Sequence, residues 1–564
     1  SNRVKFVTDR PFGVTGLAAE ALSGALKSMA LINTDRWEAI AVEYGLIYGK
    51  PQIPIFDIAN ASYLLSFGAR FLETWHSPVM YSLAYGDFRR TPGRARGRFV
   101  QVESRMSLTG ANADEWVPAA DVDLAALAIM QVMMREGLAR NAVAPKFIGD
   151  PLDAYAPEQI ASRIGIAADS LVRIAREFAK AEKPLALSGD NSDVRVVDHL
   201  NVMVANVNKP GGVLLNDSGR PDPLGALRRA GSKAWISSPL INAIDTDAGD
   251  VLFLHRVNPA HTDPRTIESL RQAPFIVSFA PVLDETALMA DLILPDRSYL
   301  ESWDIQASIL ADKRTAVTLT QPVIKPEPGT MQAADALLAL AAELGGTPLP
   351  FKSAEEAVKQ AAGALQKAGG SITAESPEDF MTAISTQGVW SGEVPAKSPS
   401  PEMADRPLYG MKASQTDPAY PLTLLTYEHA ALGTGGSANL PMLQELPDPM
   451  TTVMWGSWVE INPKTAHELG IGDGDLVEVR TPHHALRVAA VVYPAIRPDT
   501  IAMPLGQGHT SFGRYARGTG ANAETLWGPN DGLGPVAAAI SKVSGEGKLI
   551  RFGTSLPEHF DRKR

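Results

Sequence analysis

The sequence predicts an α/β protein of two open parallel-sheet domains, one of them discontinuous, followed by a β-barrel domain. Three observations carry that expectation. Short apolar runs alternate with Ala- and Leu-rich helical stretches through the N-terminal two thirds of the chain, the pattern of a parallel sheet covered by helices. Several of these runs end in a glycine or an Asn-Pro followed by a polar loop, the place where open α/β sheets bind ligands. From Leu422 onward the pattern changes to many short strand-like runs punctuated by Gly, Pro and Asp, which suggests a closed β structure. With 564 residues, the chain exceeds what one core serves.

Composition excludes several classes. Hydrophobic residues make up 45% and charged residues 20%, a normal globular balance. The net charge of −11 argues against a nucleic-acid groove; Arg89, Arg90, Arg94, Arg96 and Arg98 form the one local basic cluster. No apolar run approaches the roughly 20 residues that span a bilayer, so no direct membrane span is expected. The first thirty residues carry no export signal pattern. There are no cysteines, which excludes cysteine-ligated iron–sulfur clusters, disulfides, thiolate zinc sites and a cysteine nucleophile in this chain. Neither H-E-x-x-H, nor a phosphate-loop G-x-x-x-x-G-K-[ST], nor a G-x-S-x-G elbow occurs.

In chain order, Val4 to Thr8, Tyr63 to Gly68 and Phe99 to Glu103 read as buried strands, with a helix from about Thr15 to Met29. Gly68, in SFGARFLETWHSP, permits a tight turn directly after a strand. Arg105 and Ser107 follow the Glu103 strand end on a loop, and Asp121 and Asp123 lead into an amphipathic helix reaching Arg135. Helices at about 157–164 and 168–182 precede a strand from Leu185 to Ser188, then Gly189 in LSGDNSD. A helix from about Val194 to Val207 stops at NKPGG. Asp250 to His255 is a strand ending in HRVNPAHTDP, with a turn at Asn258-Pro259. Phe275 to Phe279 and Leu292 to Leu294 are further buried strands; between them Asp284 and Glu285 open a short small-residue helix, where acids suit the positive helix end. Helices at about 331–344 and 354–368 read as core elements, and prolines from 395 to 421 mark a linker. The expected domains are 1–125 with 270–390, then 126–269, then a linker over 391–421 and a barrel cap over 422–564.

Pro274 to Trp303, PFIVSFAPVLDETALMADLILPDRSYLESW, carries a T-A-x-x-A-D-x-x-L-P order with a glutamate six residues later. It resembles the stretch by which molybdopterin oxidoreductases of the dimethyl sulfoxide reductase family hold one of two pterin-guanine dinucleotides. An ordinary α/β crossover with capping acids is the plain alternative. INPKTAHELGIGDGDLVEVRT, from Ile461, is similar to the family's C-terminal double-psi barrel, so the resemblance implies two Rossmann-like domains plus that barrel. SFGARFLETWHSPVMYSLAYGDFR and GQGHTSFGRYARGTG look closest to large subunits of alternative complex III, the sulfate-reducer quinone reductase complex and polysulfide reductase.

The resemblance implies molybdenum or tungsten held by two molybdopterin guanine dinucleotides, and an oxidoreductase moving electrons or an oxygen atom between a substrate and a respiratory partner. It equally admits a cofactor-free scaffold subunit of a membrane quinone-oxidising complex. Cofactor-binding positions implied by the motifs are Gly68, Glu103, Arg105, Gly189, Asn258, Ser278, Asp284, Thr286, Asp291, Glu301, Gln507 and His509. The family's metal ligand falls in ALINTDRWEAIAVEYG, where Asp35 is the carboxylate candidate and a helix N-cap its other reading. Many members of the family begin with a cysteine-bound iron–sulfur domain, whereas this sequence enters almost directly at the first sheet strand. The resemblance then implies either an iron–sulfur or haem partner subunit or a lost N-terminal segment carrying the cysteines, and it admits a membrane quinone-binding subunit as a further partner. A periplasm-facing location is implied by the same resemblance.

Overall fold

The structure, a computed structural model, describes residues 4–90, 93, 95–141, 148–216, 221–228, 233, 235–245, 250–347, 349–394, 417–528 and 534–553. The chain divides into two compact units, Ser1–Ile55 with Leu215–Ala404, and Phe56–Leu214 with Asp405–Arg564. No helix among the described residues is long and apolar enough to cross a membrane.

The first unit is built on a six-stranded parallel sheet. Its order is Leu292–Ile293, Phe275–Ser278, Val251–His255, Val4–Thr8, Met29–Asn33 and Ile236–Ser237. The alternation of side chains along each strand feeds two cores. Phe6, Leu31 and Val277 pack on one face, and Val7, Ile32 and Ile276 on the other, as strands buried on both faces require. Helix Gly13–Ala25 returns the chain from Val4–Thr8 to Met29–Asn33 and shares the first of these cores with helix Ala333–Glu343. A three-stranded antiparallel sheet, Asp304–Ile309, Thr315–Thr320 and Trp390–Gly392, joins the same core.

The second unit contains a four-stranded parallel sheet in the order Glu115–Pro118, Arg98–Glu103, Tyr63–Phe67, Pro184–Ser188. Every residue of the two strands Tyr63–Phe67 and Pro184–Ser188 is buried. Helix Val122–Arg135 lies over this sheet. Asp121 starts it by accepting the N–H groups of Asp123 and Leu124, each at 3.0 Å, a cap of about 1 kcal/mol. Its Leu124 to Met133 stretch is buried throughout. The C-terminal region closes into a six-stranded barrel of Leu422–Tyr427, Thr500–Pro504, Trp458–Ile461, Ala485–Val492, Asp475–Arg480 and Val536–Glu546, around a core that includes Leu424, Val459, Val477 and Ile501.

The fold class is the one the sequence predicts: mixed α/β with parallel sheets and a closed C-terminal barrel. The domain boundaries run differently. Val4–Thr8 pairs with Val251–His255, whereas Tyr63–Phe67 pairs with Arg98–Glu103 and Pro184–Ser188. Residues 56–125 therefore leave the expected first domain, and 215–269 join it. The reason is physical: an apolar run signals a strand but not its hydrogen-bonding partner. Met29–Asn33, expected as the end of a helix and the start of a ligand loop, is instead a strand, its large apolar Met29, Leu31 and Ile32 buried on the two faces of the sheet. Most of the expected linker, 395–416, and Arg94 of the basic cluster lie outside the described residues.

Candidate functional site

Both parallel sheets share a strand order. Numbered within each sheet along the chain, the strands lie 3-2-1-4, extended to 5 and 6 in the first unit. Between strands 1 and 4 the crossovers leave in opposite directions, so a crevice opens beyond their carboxyl ends. In the second unit this point falls between Phe67 and Ser188, and Gly68 and Gly189 come immediately after. Gly68 has φ +74° and open space where a Cβ would stand. A Cβ on Gly189 would lie 2.1 Å from the Gly68 carbonyl carbon, so this strand end closes only around glycine.

A cavity of about 180 Å³ lies here. Gly68, Arg70, Ser104, Arg105, Asp121, Asp123, Asp190 and Asn191 line it from the sheet side, and Leu425, Tyr427 and Pro535 from the barrel side. Its charges are arranged in pairs. Arg70 donates to Asp190 at 2.7 Å, and that carboxylate holds the guanidinium above its ordinary pKa despite burial. Arg105 grips Glu460 with two hydrogen bonds of 2.5 and 2.8 Å, donates to the Tyr427 hydroxyl at 3.1 Å and lies 3.9 Å over that ring. Glu460 is fully buried. Asp123 accepts the Asp193 N–H at 2.8 Å.

Glu103 is expected beside a dinucleotide sugar; the structure turns its side chain inward. It accepts from the Ser107 N–H at 2.8 Å, from the Ser107 hydroxyl and from Gln101 at 3.0 Å, and thereby holds the turn into the short helix Leu108–Ala111. Burial pushes its pKa up to about 7, against which these hydrogen bonds act.

In the first unit the corresponding point lies between Thr8 and His255. The Thr8 hydroxyl oxygen is 3.0 Å from His255 Nδ1, and His255 Nε2 is 3.2 Å from Asp296. The expected binding residues around it are held by one another. Asn258 donates to Glu285 at 2.7 Å and its amide oxygen accepts from both the N–H and the hydroxyl of Thr286. Thr286 also accepts the Ala260 N–H, and the Ser278 hydroxyl accepts that of Ala280. Asp284 caps Ala287–Met289 through the Ala287 N–H at 2.7 Å, and Asp291 accepts the Ile276 N–H at 2.8 Å. Glu301 uses both oxygens, on the backbone N–H groups of Ser298 and Glu327; these bonds hold its pKa below the ordinary value. Asp284 and Glu301 thus serve backbone N–H groups at local turns, the plain alternative weighed for such acids, and Asp291 ties two strand ends together.

Asp35 likewise starts helix Arg36–Tyr48 by accepting the Trp37 N–H at 2.9 Å. In the barrel, Gln507 forms a reciprocal amide pair with Gln444 at 2.7 and 3.2 Å, and His509 stacks on Phe512 at 4.8 Å; both are buried away from the cavity. Arg89 and Arg96 of the basic cluster pair with Asp114, and Arg98 with Glu115.

The sequence motifs bring Gly68, Gly189, Glu103 and Arg105 together and miss Arg70, Asp190, Tyr427 and Glu460. Arg70 and Asp190 each stand one or two places after a strand-end glycine, so their offset is a usable signal. Tyr427 and Glu460 sit on barrel strands with nothing local to mark them.

Comparison with known proteins runs along the same lines. The model of the molybdopterin oxidoreductase family matches residues 38–330, and that of the molydopterin dinucleotide binding domain matches residues 431–535. The menaquinone reductase molybdopterin-binding-like subunit of Nitratidesulfovibrio vulgaris is 27% identical over 508 residues, covering 87% of this chain and 71% of that protein. The thiosulfate reductase molybdopterin-containing subunit of Salmonella typhimurium is 24% identical, covering 82% of this chain and 71% of its own. Acetylene hydratase from Pelobacter acetylenicus shares the fold with a TM-score of 0.63 at 15% identity, over 96% of this chain and 86% of that one. With its two parallel sheets, its barrel and a family match over more than half its length, this chain belongs to the molybdopterin oxidoreductase family.

Proposed function

We propose that this chain is the molybdopterin-type large subunit of a respiratory electron-transfer assembly, and that the cavity beyond Gly68 and Gly189 receives part of a molybdopterin guanine dinucleotide. The carrying observation is the cavity itself, at the crossover point of a parallel sheet and walled by a barrel strand. At about 180 Å³ it falls below the roughly 300–1,000 Å³ of pockets enclosing a drug-sized ligand, which suits a nucleoside-sized end rather than the whole group. Asp121, Asp123 and Asp190 offer acceptor chemistry for the N–H edge of a base, and Tyr427 and Leu425 offer apolar contact. When bound, the metal on such a group supplies transfer of two electrons or an oxygen atom.

With no thiolate in this sequence, the electron relay belongs to a partner carrying iron–sulfur or haem groups or to a cysteine-bearing segment outside this sequence, on a periplasm-facing membrane complex with a quinone-binding subunit. The names of the relatives, a menaquinone reductase subunit and a thiosulfate reductase subunit, support that assignment.

A second reading, a cofactor-free scaffold that docks redox partners, is favoured by one observation. Both arginines lining the cavity are committed to carboxylates, which leaves no uncommitted guanidinium among its described lining residues for a pyrophosphate. Metal analysis combined with guanine release on denaturation tests both. Molybdenum or tungsten together with guanosine nucleotide supports the enzyme; a purified assembly containing neither leaves the scaffold.

A further inference from the structure

We propose that the chain has one dinucleotide position rather than two, because in the first unit Asp304 fills with its own carboxylate the place a ligand phosphate takes at the crossover point. The inference rests on the reading of the second unit's cavity given above.

In a 3-2-1-4 sheet the phosphate of a bound nucleotide sits at the N-terminus of the helix after strand 1, where backbone N–H groups lack partners and the helix dipole is positive. In the first unit that helix is Gly13–Ala25, and its first turn contains no acidic residue of its own. The anion comes from far along the chain. Asp304, at the start of Asp304–Ile309, accepts the Val14 N–H at 2.9 Å across a separation of 290 residues. A Cβ on Gly13 would stand 2.3 Å from Asp304 Oδ1, so glycine at this position is what admits the carboxylate. Gln306 donates to its other oxygen at 2.9 Å and fixes its orientation.

The rest of the strand end is closed in the same way. The Thr8 hydroxyl accepts the Arg10 N–H at 3.1 Å, so the Arg10 and Val14 N–H groups both meet side chains of this chain. His255 and Asp296 extend that closure from Thr8, and the Asn258–Glu285–Thr286 set binds the next loop to its neighbour. A carboxyl group matches one edge of a phosphate in acceptor geometry, so the Val14 N–H at the positive helix end has a partner with no ligand present. The second unit offers the opposite arrangement, with Gly68 facing open space.

A merely structural tie and a phosphate surrogate differ in their response to removal of the carboxylate. Inorganic phosphate and pyrophosphate are titrated calorimetrically into the wild-type chain, Asp304→Ala and Asp304→Asn. Asp304→Ala vacates the helix N-terminus and is expected to bind phosphate at least about tenfold more tightly than wild type. Asp304→Asn keeps an amide oxygen against Val14 and is expected to stay with wild type. No gain in Asp304→Ala, or equal binding by all three proteins, overturns the proposal; Asp304→Ser replaces the alanine variant if that one does not fold. Guanine released from the wild-type assembly is the second measurement, with one guanosine nucleotide per chain expected. Two would overturn the single position while leaving the reading of the second unit's cavity intact, and none would overturn both.

Discussion

The two crossover points of this molecule have the same strand order and opposite contents. In the second unit, strands 1 and 4 end in Phe67 and Ser188, Gly68 and Gly189 follow immediately, and a cavity lies beyond them. In the first, they end in Thr8 and His255, whose side chains hydrogen-bond to each other, while Asp304 meets the helix N-terminus beyond. Topology decides where a parallel sheet can hold a ligand. The residues at and just past the ends of two strands decide whether it does. A glycine pair leaves backbone and space; a Thr–His–Asp chain spends both on internal hydrogen bonds.

The largest way to break the contrast is at the wall of the open side. Glu460→Ala strands the buried Arg105 guanidinium and is expected to cost about 3–5 kcal/mol, read as a fall in the urea midpoint. Replacing both partners together with Met and Leu should recover most of that loss; a cost below about 1 kcal/mol for the single variant would mean the pair is not holding the wall.

Next in size is a dependence on pH. Glu103 is raised from an ordinary 4.5 to about 7, so the folded state holds its proton more tightly than the unfolded chain does. The stability this supplies is fully present below pH 4.5 and is lost as pH rises through about 7, an effect of about 3 kcal/mol. Denaturation midpoints of wild type and Glu103→Gln across that window check it: the variant should lose this slope, and parallel curves would count against a buried, proton-holding Glu103.

The glycines sharpen the comparison directly. Gly189→Ala forces backbone against backbone and should cost about 1–3 kcal/mol and lower guanine content. Gly68→Ala meets open space, and only its positive φ opposes it, at about 1 kcal/mol. Equal effects on nucleotide content would show that the close approach at Gly189 is not what shapes the cavity. The smallest expected effect lies in the first unit: Glu301→Ala removes a cap worth about 1 kcal/mol and should leave guanine content unchanged. A loss of guanine in this variant would return Glu301 to the ligand and put the filled first site in doubt.

How much of this the sequence determined depends on the range of the interaction involved. Strands Val4–Thr8, Tyr63–Phe67 and Pro184–Ser188, helices Pro157–Ile164 and Ala354–Ala368, and the change to a barrel after Leu422 were legible. Each is written in local periodicity and in residues that stop it, such as Gly165 and Gly369. The caps at Asp35, Asp284 and Glu301 were legible as one of two readings, since an acid at a helix start serves backbone N–H groups within a few residues. The strand-end glycines 68 and 189 were legible as breaks. Pairing was not legible. Nothing near Val4 names Val251 as its neighbour, nothing near Asp304 names Val14, and Arg105 reaches Glu460 across 355 residues. Local pattern records which residues prefer burial and which end an element. Only the packed sheets decide which strand ends come together, and hence which of two similar crossover points keeps a cavity and which one fills itself.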